Sequence, residues 1–142
     1  EQGLGQQLYN NRIKPAFSTY LGKAFEEVCY QYLVILNQQL KLPFMMESIS
    51  PWWGGNPTTK QQEEIDLVGL SKESALYAEC KYRNERMELE TLNILQRRSQ
   101  LIQKAQQYYY LFSKSGFSNA LEHKASTDQT IKRITLTDLY QD

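Results

Sequence analysis

The sequence predicts an α/β domain in which a mixed β-sheet is flanked by helices. Its 142 residues, 41% of them hydrophobic, suit one domain with one core. Two apolar segments joined by a short polar turn predict a β-hairpin. A strand–helix–strand unit follows, and such a crossover places its strands in parallel. The hairpin and the crossover together predict a sheet that contains both antiparallel and parallel strands.

The N-terminal segment, residues 1–16, is polar and contains Gly3, Gly5 and Pro15. We expect it to be a linker or an arm from a preceding domain, so that the folded domain spans residues 17–142. A helix is then predicted from Ser18 or Thr19, either of which can cap it, to Gln39. Apolar side chains recur at helical spacing along its buried stripe; they are Leu21, Phe25, Val28, Cys29, Tyr32 and Leu36.

The remaining elements follow from apolar segments separated by turn-forming residues. The expected strands are residues 44–50, 64–70, 75–82, 108–113 and 131–136. The expected helices are residues 88–107 and 118–125, with a helical tail after Thr137. Residues 51–57 are rich in proline and glycine and are predicted to be irregular, whereas residues 71–74 form the hairpin turn.

Charge and cysteine content narrow the class of protein. The 16 basic and 16 acidic residues balance, so the total charge does not predict a nucleic-acid binder, although a local basic surface is compatible with it. Cys29 and Cys80 lack CxxC or Cys/His spacing, which favours reduced, buried thiols over a zinc site. No segment reaches the roughly 18 apolar residues of a membrane span, and no signal peptide is recognisable. We therefore expect a cytoplasmic protein without membrane contact.

The strand at residues 75–82 carries the residues that predict chemistry. Because side chains alternate along a strand, Glu79 and Lys81 share one face. Asp66, on the neighbouring strand of the hairpin, can lie level with Glu79. Two carboxylates and one ammonium group suit a Mg²⁺ ion that takes part in phosphodiester hydrolysis. The alternative is a surface strand with an ordinary Glu–Lys pair, but the apolar flanks argue for a buried position, where unpaired charges are costly.

This pattern, Glu26 followed by Asp66 and then Glu79-Cys80-Lys81, resembles the PD-(D/E)XK nuclease superfamily. The element order is similar to the restriction-endonuclease-like core of that superfamily, helix–three strands–helix–strand. The resemblance covers residues 18–136 and departs from the motif where Ile65 replaces the proline. It implies that Asp66 and Glu79 bind metal with help from Glu26, and that Lys81 is the catalytic lysine. The implied cofactor is Mg²⁺ or Mn²⁺.

A narrower resemblance is to the C-terminal domain of archaeal and bacterial P-loop ATPases of unknown function. The segments that carry it are Gly22-Lys23-Ala24-Phe25-Glu26, Trp52-Trp53-Gly54, Glu64-Ile65-Asp66-Leu67-Val68, Ala78-Glu79-Cys80-Lys81 and Phe112-Ser113-Lys114-Ser115-Gly116-Phe117. The resemblance implies an N-terminal P-loop ATPase domain as a partner in the same protein. The sequence begins at Glu1 without a methionine, so we interpret it as a piece of such a protein. Homo-oligomerisation stays open.

Two functional hypotheses follow. The first is a metal-dependent nuclease domain that acts on nucleic acid, with DNA as the expected substrate. Trp53 is then a candidate for base stacking, with rim packing as its alternative. Arg83 and Arg97 are candidates for phosphate contacts, with a solvated surface as their alternative. The second hypothesis is a catalytically silent binding or regulatory module of the ATPase.

Overall fold

The structure, a computed structural model, describes residues 14–140. Its helices and strands are, in chain order, α1 (Lys14–Gln38), β1 (Ser48–Gly55), β2 (Gln62–Leu70), β3 (Ser74–Lys81), α2 (Leu89–Ser99), β4 (Gln106–Ser113), α3 (Asn119–Ser126), β5 (Ile131–Thr135) and α4 (Leu136–Leu139). The five strands form one sheet in the order β1-β2-β3-β4-β5. The first three strands are antiparallel neighbours, whereas β3, β4 and β5 are parallel. The predicted mixed α/β class is therefore confirmed.

Strand β3 lies at the centre of the sheet, and its two faces belong to separate cores. Leu76 and Ala78 pack towards α1, against Phe25 and Leu33. Tyr77 packs on the opposite face, in the core that includes residues of α2 and α3. This alternation explains why almost every residue of β3 is buried, since a central strand covered on both sides has no solvent face.

The predicted position of the first strand was wrong. Strand β1 runs from Ser48 to Gly55 and so includes much of the Pro- and Gly-containing segment that was expected to be irregular. The register explains how Pro51 is tolerated. Ser50 pairs with Val68 and Trp52 pairs with Ile65, so two residues of β2 lie opposite Pro51 in a β-bulge. An edge strand accepts proline there because its missing N–H breaks no regular ladder.

Two helix boundaries also differ from the prediction. Helix α1 begins at Lys14, so residues 14–16 are helical, and the rest of the predicted linker lies outside the described residues. Helix α2 ends at Ser99 rather than near residue 107, and Gln103 adopts a positive φ of 52° in the turn that follows. Polar, glutamine-rich residues have helical propensity, but here pairing of the first residues of β4 with β3 outweighs it.

Gly69 on β2 provides a test of how tightly this fold is packed. A Cβ added at Gly69 would clash with the Sδ of Met46. The backbone of Met46 is itself fixed by two hydrogen bonds with the Asn37 side chain. We expect Gly69→Ala to lower the free energy of unfolding in urea by about 1–3 kcal/mol, because the Met46 side chain is buried and has to be displaced from its packed position. Gly55→Ala is the matched control, since no heavy atom lies within 4 Å of its added Cβ. Equal stability of the two variants would contradict this expectation.

Candidate active site

A buried glutamate, Glu79, lies beside a partly exposed lysine, Lys81, at the carboxyl end of β3. Glu79 is only 5% exposed, although it is charged in its ordinary state. The Nζ of Lys81 lies 3.4 Å from the Oε2 of Glu79. Strand alternation places both side chains on one face, as predicted. A buried carboxylate needs such a partner because its transfer from water is costly.

Asp66 reaches the same place from β2. Leu67 pairs with Ala78 in the register of the hairpin, and Asp66 lies one position beyond that pair. Its Oδ2 accepts a hydrogen bond from the backbone N–H of Cys80 at 2.8 Å. Asp66 also belongs to the β-bulge opposite Pro51. Bulges redirect side chains and are frequent beside active sites, so the bulge accounts for an aspartate at this depth of the sheet.

Helix α1 contributes the third carboxylate, Glu26, to the same cleft. The cleft has a volume of about 620 Å³. Its lining residues are Lys23, Glu26, Pro51, Trp53, Glu64, Ile65, Asp66, Glu79, Lys81 and Arg98. The next residue, Glu27, is exposed, and its side chain accepts a hydrogen bond from Gln31. All four residues predicted to form the site, Glu26, Asp66, Glu79 and Lys81, therefore line one cavity.

Several carboxyl groups share the cleft, and burial and mutual repulsion disfavour their simultaneous ionisation. Burial, followed by repulsion from Asp66, raises the pKa of Glu79 to about 7. Burial likewise raises the pKa of Asp66, although the Cys80 N–H opposes the shift. The pKa of Glu26 is raised for the same first reason, with repulsion from Asp66 second. Carboxyl groups with raised pKa values in a cleft are frequent at functional sites.

The donor set is compatible with a hard divalent cation. In the described part of the chain, no three His, Cys, Asp or Glu side chains converge closely enough to hold a metal ion by themselves. Mg²⁺ commonly uses one or two carboxylates and completes its shell with water and substrate phosphate. Asp66 and Glu79 fit that requirement, because a half-buried and a buried carboxylate lie side by side on the adjacent strands β2 and β3. Glu26 and the exposed Glu64 are further carboxylate oxygen donors in the cleft lining.

Three cationic residues line the cleft, and the sequence analysis singled out only Lys81 as part of the active site. Lys23 lies one turn before Glu26 on α1, which is the sequence signal that could have identified it. Arg98 comes from α2, and its guanidinium donates to Glu63 and to the Glu64 carbonyl. The three positive charges thus come from α1, β3 and α2, which are far apart in the sequence, and they lie around one group of carboxylates.

The structure separates the three candidates for nucleic-acid contact. Trp53 lines the cleft and is 62% exposed. Arg97 lies outside the cleft lining, on the exposed surface, with its guanidinium 3.7 Å from Glu63. Arg83 is also exposed and outside the lining, and its carbonyl accepts a hydrogen bond from Ser115. Of these three candidates, only Trp53 therefore lines the cleft with the predicted catalytic residues.

Cys29 and Cys80 are both buried and both free, as their sequence context predicts. They belong to the core between α1 and β3. A hydrogen bond to Cys29, together with burial, raises the pKa of the Cys80 thiol. A thiol with a raised pKa is a poor nucleophile and a poor metal ligand. The cysteines therefore serve as small apolar side chains in the core between α1 and β3.

These features define a class: an α/β protein with a mixed sheet and a polar cleft that collects carboxylates and cations at the end of its central strand. The chain belongs to the DUF234 family, described as archaea bacterial proteins of unknown function, which it matches over residues 1–92. That match includes Glu26, Asp66, Glu79 and Lys81.

The similar proteins include a much longer relative, and none of those named here has a described function. An uncharacterised protein of Methanocaldococcus jannaschii, MJECL04, is 38% identical over 74 residues, which cover 51% of this chain. The chain spans only 16% of the length of that relative. A crystal structure of a protein of unknown function, AF1548, matches with a TM-score of 0.48 and 16% identity, over 81% of this chain and 60% of that one. None of the helices within residues 14–140 has the length and apolar character needed to cross a membrane.

Proposed function

We propose that the chain is a Mg²⁺- or Mn²⁺-dependent nuclease domain of the PD-(D/E)XK type, which hydrolyses phosphodiester bonds of nucleic acid, DNA being the expected substrate. The observation that supports this most is the convergence of Glu26, Asp66 and Glu79 with Lys81 in one cleft. Burying carboxyl groups beside one another lowers the stability of the folded protein, and such costly arrangements are frequent at functional sites. A divalent cation that binds these carboxylates during phosphodiester hydrolysis would offset the repulsion between them.

Each residue has a role that follows from its position. The carboxylates of Asp66 and Glu79 would hold the divalent ion, with Glu26 as an additional oxygen donor. When bound, such an ion polarises a phosphoryl oxygen and lowers the pKa of its water. The ammonium group of Lys81, 3.4 Å from Glu79, would orient the attacking water or stabilise charge that develops on the phosphate.

The proposed domain would act as the C-terminal part of a larger ATPase in the cytoplasm. The length of the Methanocaldococcus jannaschii relative supports a larger protein, because this chain covers 16% of it. This chain contains no Gly-x-x-x-x-Gly-Lys segment, so a P-loop would come from another part of that protein.

Cleavage of nucleic acid in the presence of divalent cations tests the proposed function. We expect the domain, and the full-length protein, to cleave plasmid or single-stranded DNA with Mg²⁺ or Mn²⁺ and not with EDTA. Asp66→Ala is expected to lower the rate by at least about a hundredfold, since it removes a ligand of the ion. Calorimetric titration with Mn²⁺ should show weaker binding to the same variant.

Asp128→Ala provides the matched control, because Asp128 is an aspartate that binds the Thr130 side chain far from the cleft lining. It should cleave and bind Mn²⁺ like the wild-type protein. Cleavage that survives Asp66→Ala would show that the site lies elsewhere. Absence of both cleavage and metal binding in the full-length protein would favour the silent binding module instead.

A further inference from the structure

The side chain of Trp53 is a large aromatic surface that the fold leaves uncovered. It lies on the edge strand β1, lines the cleft and is 62% exposed. Its neighbour Trp52 is only partly exposed and packs against the main core, so the two adjacent tryptophans have different environments. An exposed indole beside charged residues suits a partner that offers an aromatic face, because stacking removes apolar area from water.

Lys23 supplies a cation that acts on Glu26 only at longer range, since its charge lowers the pKa of that carboxyl group. The ammonium of Lys81 is paired with Glu79, and the guanidinium of Arg98 is held by Glu63. Within residues 14–140, Lys23 makes no ion pair within 4 Å. It nevertheless lines the same cleft. An unpaired lysine beside an exposed indole matches the two parts of a nucleotide, its phosphate and its base.

A second groove continues from the cleft along α1 and β1. It has a volume of about 470 Å³ and shares Lys23, Glu26, Pro51 and Asp66 with the cleft lining. Pockets of this size each accommodate a drug-sized molecule. The two spaces together therefore offer room for more than one nucleotide, with the carboxylates between them.

We infer that the cleft takes single-stranded nucleic acid, with an unpaired base stacked on Trp53 and a neighbouring phosphate held by Lys23. This inference rests on the proposed nuclease function and names its substrate class. In a duplex, base faces are stacked on one another and only their edges reach the grooves. An unpaired base has a free face, so Trp53 can select single strands without reading their sequence.

Binding without divalent cations tests the inference separately from cleavage. Fluorescence anisotropy in EDTA would compare a labelled oligothymidine of about 12 nucleotides with a duplex of the same length. We expect the single strand to bind at least about tenfold more tightly. Trp53→Ala should weaken single-strand binding by about tenfold to a hundredfold, whereas Trp53→Phe should retain most of it. Lys23→Ala should reduce the slope of log affinity against log salt by about 0.7.

Tyr140→Ala is the matched control, because Tyr140 is an aromatic residue that is 75% exposed and lies outside the cleft lining. It should bind both oligonucleotides like the wild-type chain. Equal affinity for single strand and duplex, or unchanged affinity in Trp53→Ala, would overturn the inference. Single-strand binding without any cleavage would support it while counting against the nuclease function. Cleavage restricted to duplex DNA would do the reverse.

Discussion

A Lys81→Met variant is expected to lose at least about a hundredfold in the rate of phosphodiester cleavage while it still folds. The methionine keeps an unbranched apolar stem of comparable length, so packing at the end of β3 should change little. The variant lacks the ammonium group that lies 3.4 Å from Glu79 in the wild-type protein. Charge that develops on the phosphate then has one fewer positive group beside it.

The pH dependence of cleavage should change in the same variant. Attraction to Lys81 lowers the pKa values of Glu79 and Asp66, so its removal moves both further upwards. The residual activity should therefore need a more alkaline pH than wild-type activity does. Initial rates across the pH range, at one Mn²⁺ concentration below saturation, would measure this shift.

Lys114→Met is the matched control for Lys81→Met. Lys114 follows β4, its backbone N–H donates to the Lys81 carbonyl, and its ammonium lies over the ring of Tyr82. It is thus a nearby lysine outside the cleft lining. We expect its cleavage rate to stay within about threefold of wild type. A Lys81→Met variant that retained more than about a tenth of wild-type activity would contradict the role given to Lys81.

Glu79→Gln is expected to make the metal-free protein more stable at alkaline pH while it abolishes cleavage. The pKa of Glu79 is raised from 4.5 in the unfolded chain to about 7 in the folded protein, chiefly by burial. The folded state therefore binds this proton more tightly than the unfolded state does. The stabilisation is fully present below about pH 4.5 and is lost as the pH rises through about 7.

A glutamine stays neutral throughout that pH range. The variant therefore does not lose the free energy of unfolding that the wild-type protein loses when Glu79 ionises. Each tenfold difference in proton affinity corresponds to about 1.4 kcal/mol, which gives a difference on the order of 3 kcal/mol above pH 7. Urea unfolding in EDTA at several pH values would measure it. Glu122→Gln, which removes an exposed partner of Arg133, should show almost no such pH dependence. Parallel stability curves for wild type and Glu79→Gln would contradict the expectation.

The same pair of experiments connects stability with function. If Mg²⁺ binds the ionised form of Glu79, it should raise the melting temperature of the wild-type protein most at alkaline pH, where that form is populated. Glu79→Gln should show little stabilisation by Mg²⁺ at any pH. In the wild-type protein, the ionised Glu79 would thus lower the stability of the metal-free state and raise the affinity for the cation.

The predictions from sequence succeeded where a local pattern had one physical solution. The alternation of residues 75–82 assigned Glu79 and Lys81 to one face of β3, and the turn at residues 71–74 is closed by the Ser71–Ser74 hydrogen bonds. They failed where tertiary contacts outweigh local preference. Pro51 is accommodated in an edge strand by a bulge. Gln106 and Gln107 lie in β4 rather than in a helix because β3 offers them partners.

The sequence by itself determined the mixed α/β class and the identity of the acidic and basic residues at the cleft, Glu26, Asp66, Glu79 and Lys81. Periodicity and turn chemistry are local properties, so they grouped Asp66, Glu79 and Lys81 without knowledge of the fold, whereas Glu26 was assigned from the family resemblance. Only the tertiary structure decided that Lys23, Trp53 and Arg98 join those residues, and that Arg83 and Arg97 do not. The reason is physical: a side chain from α1, β1 or α2 meets the end of β3 only after the sheet twists and the helices pack on its two faces.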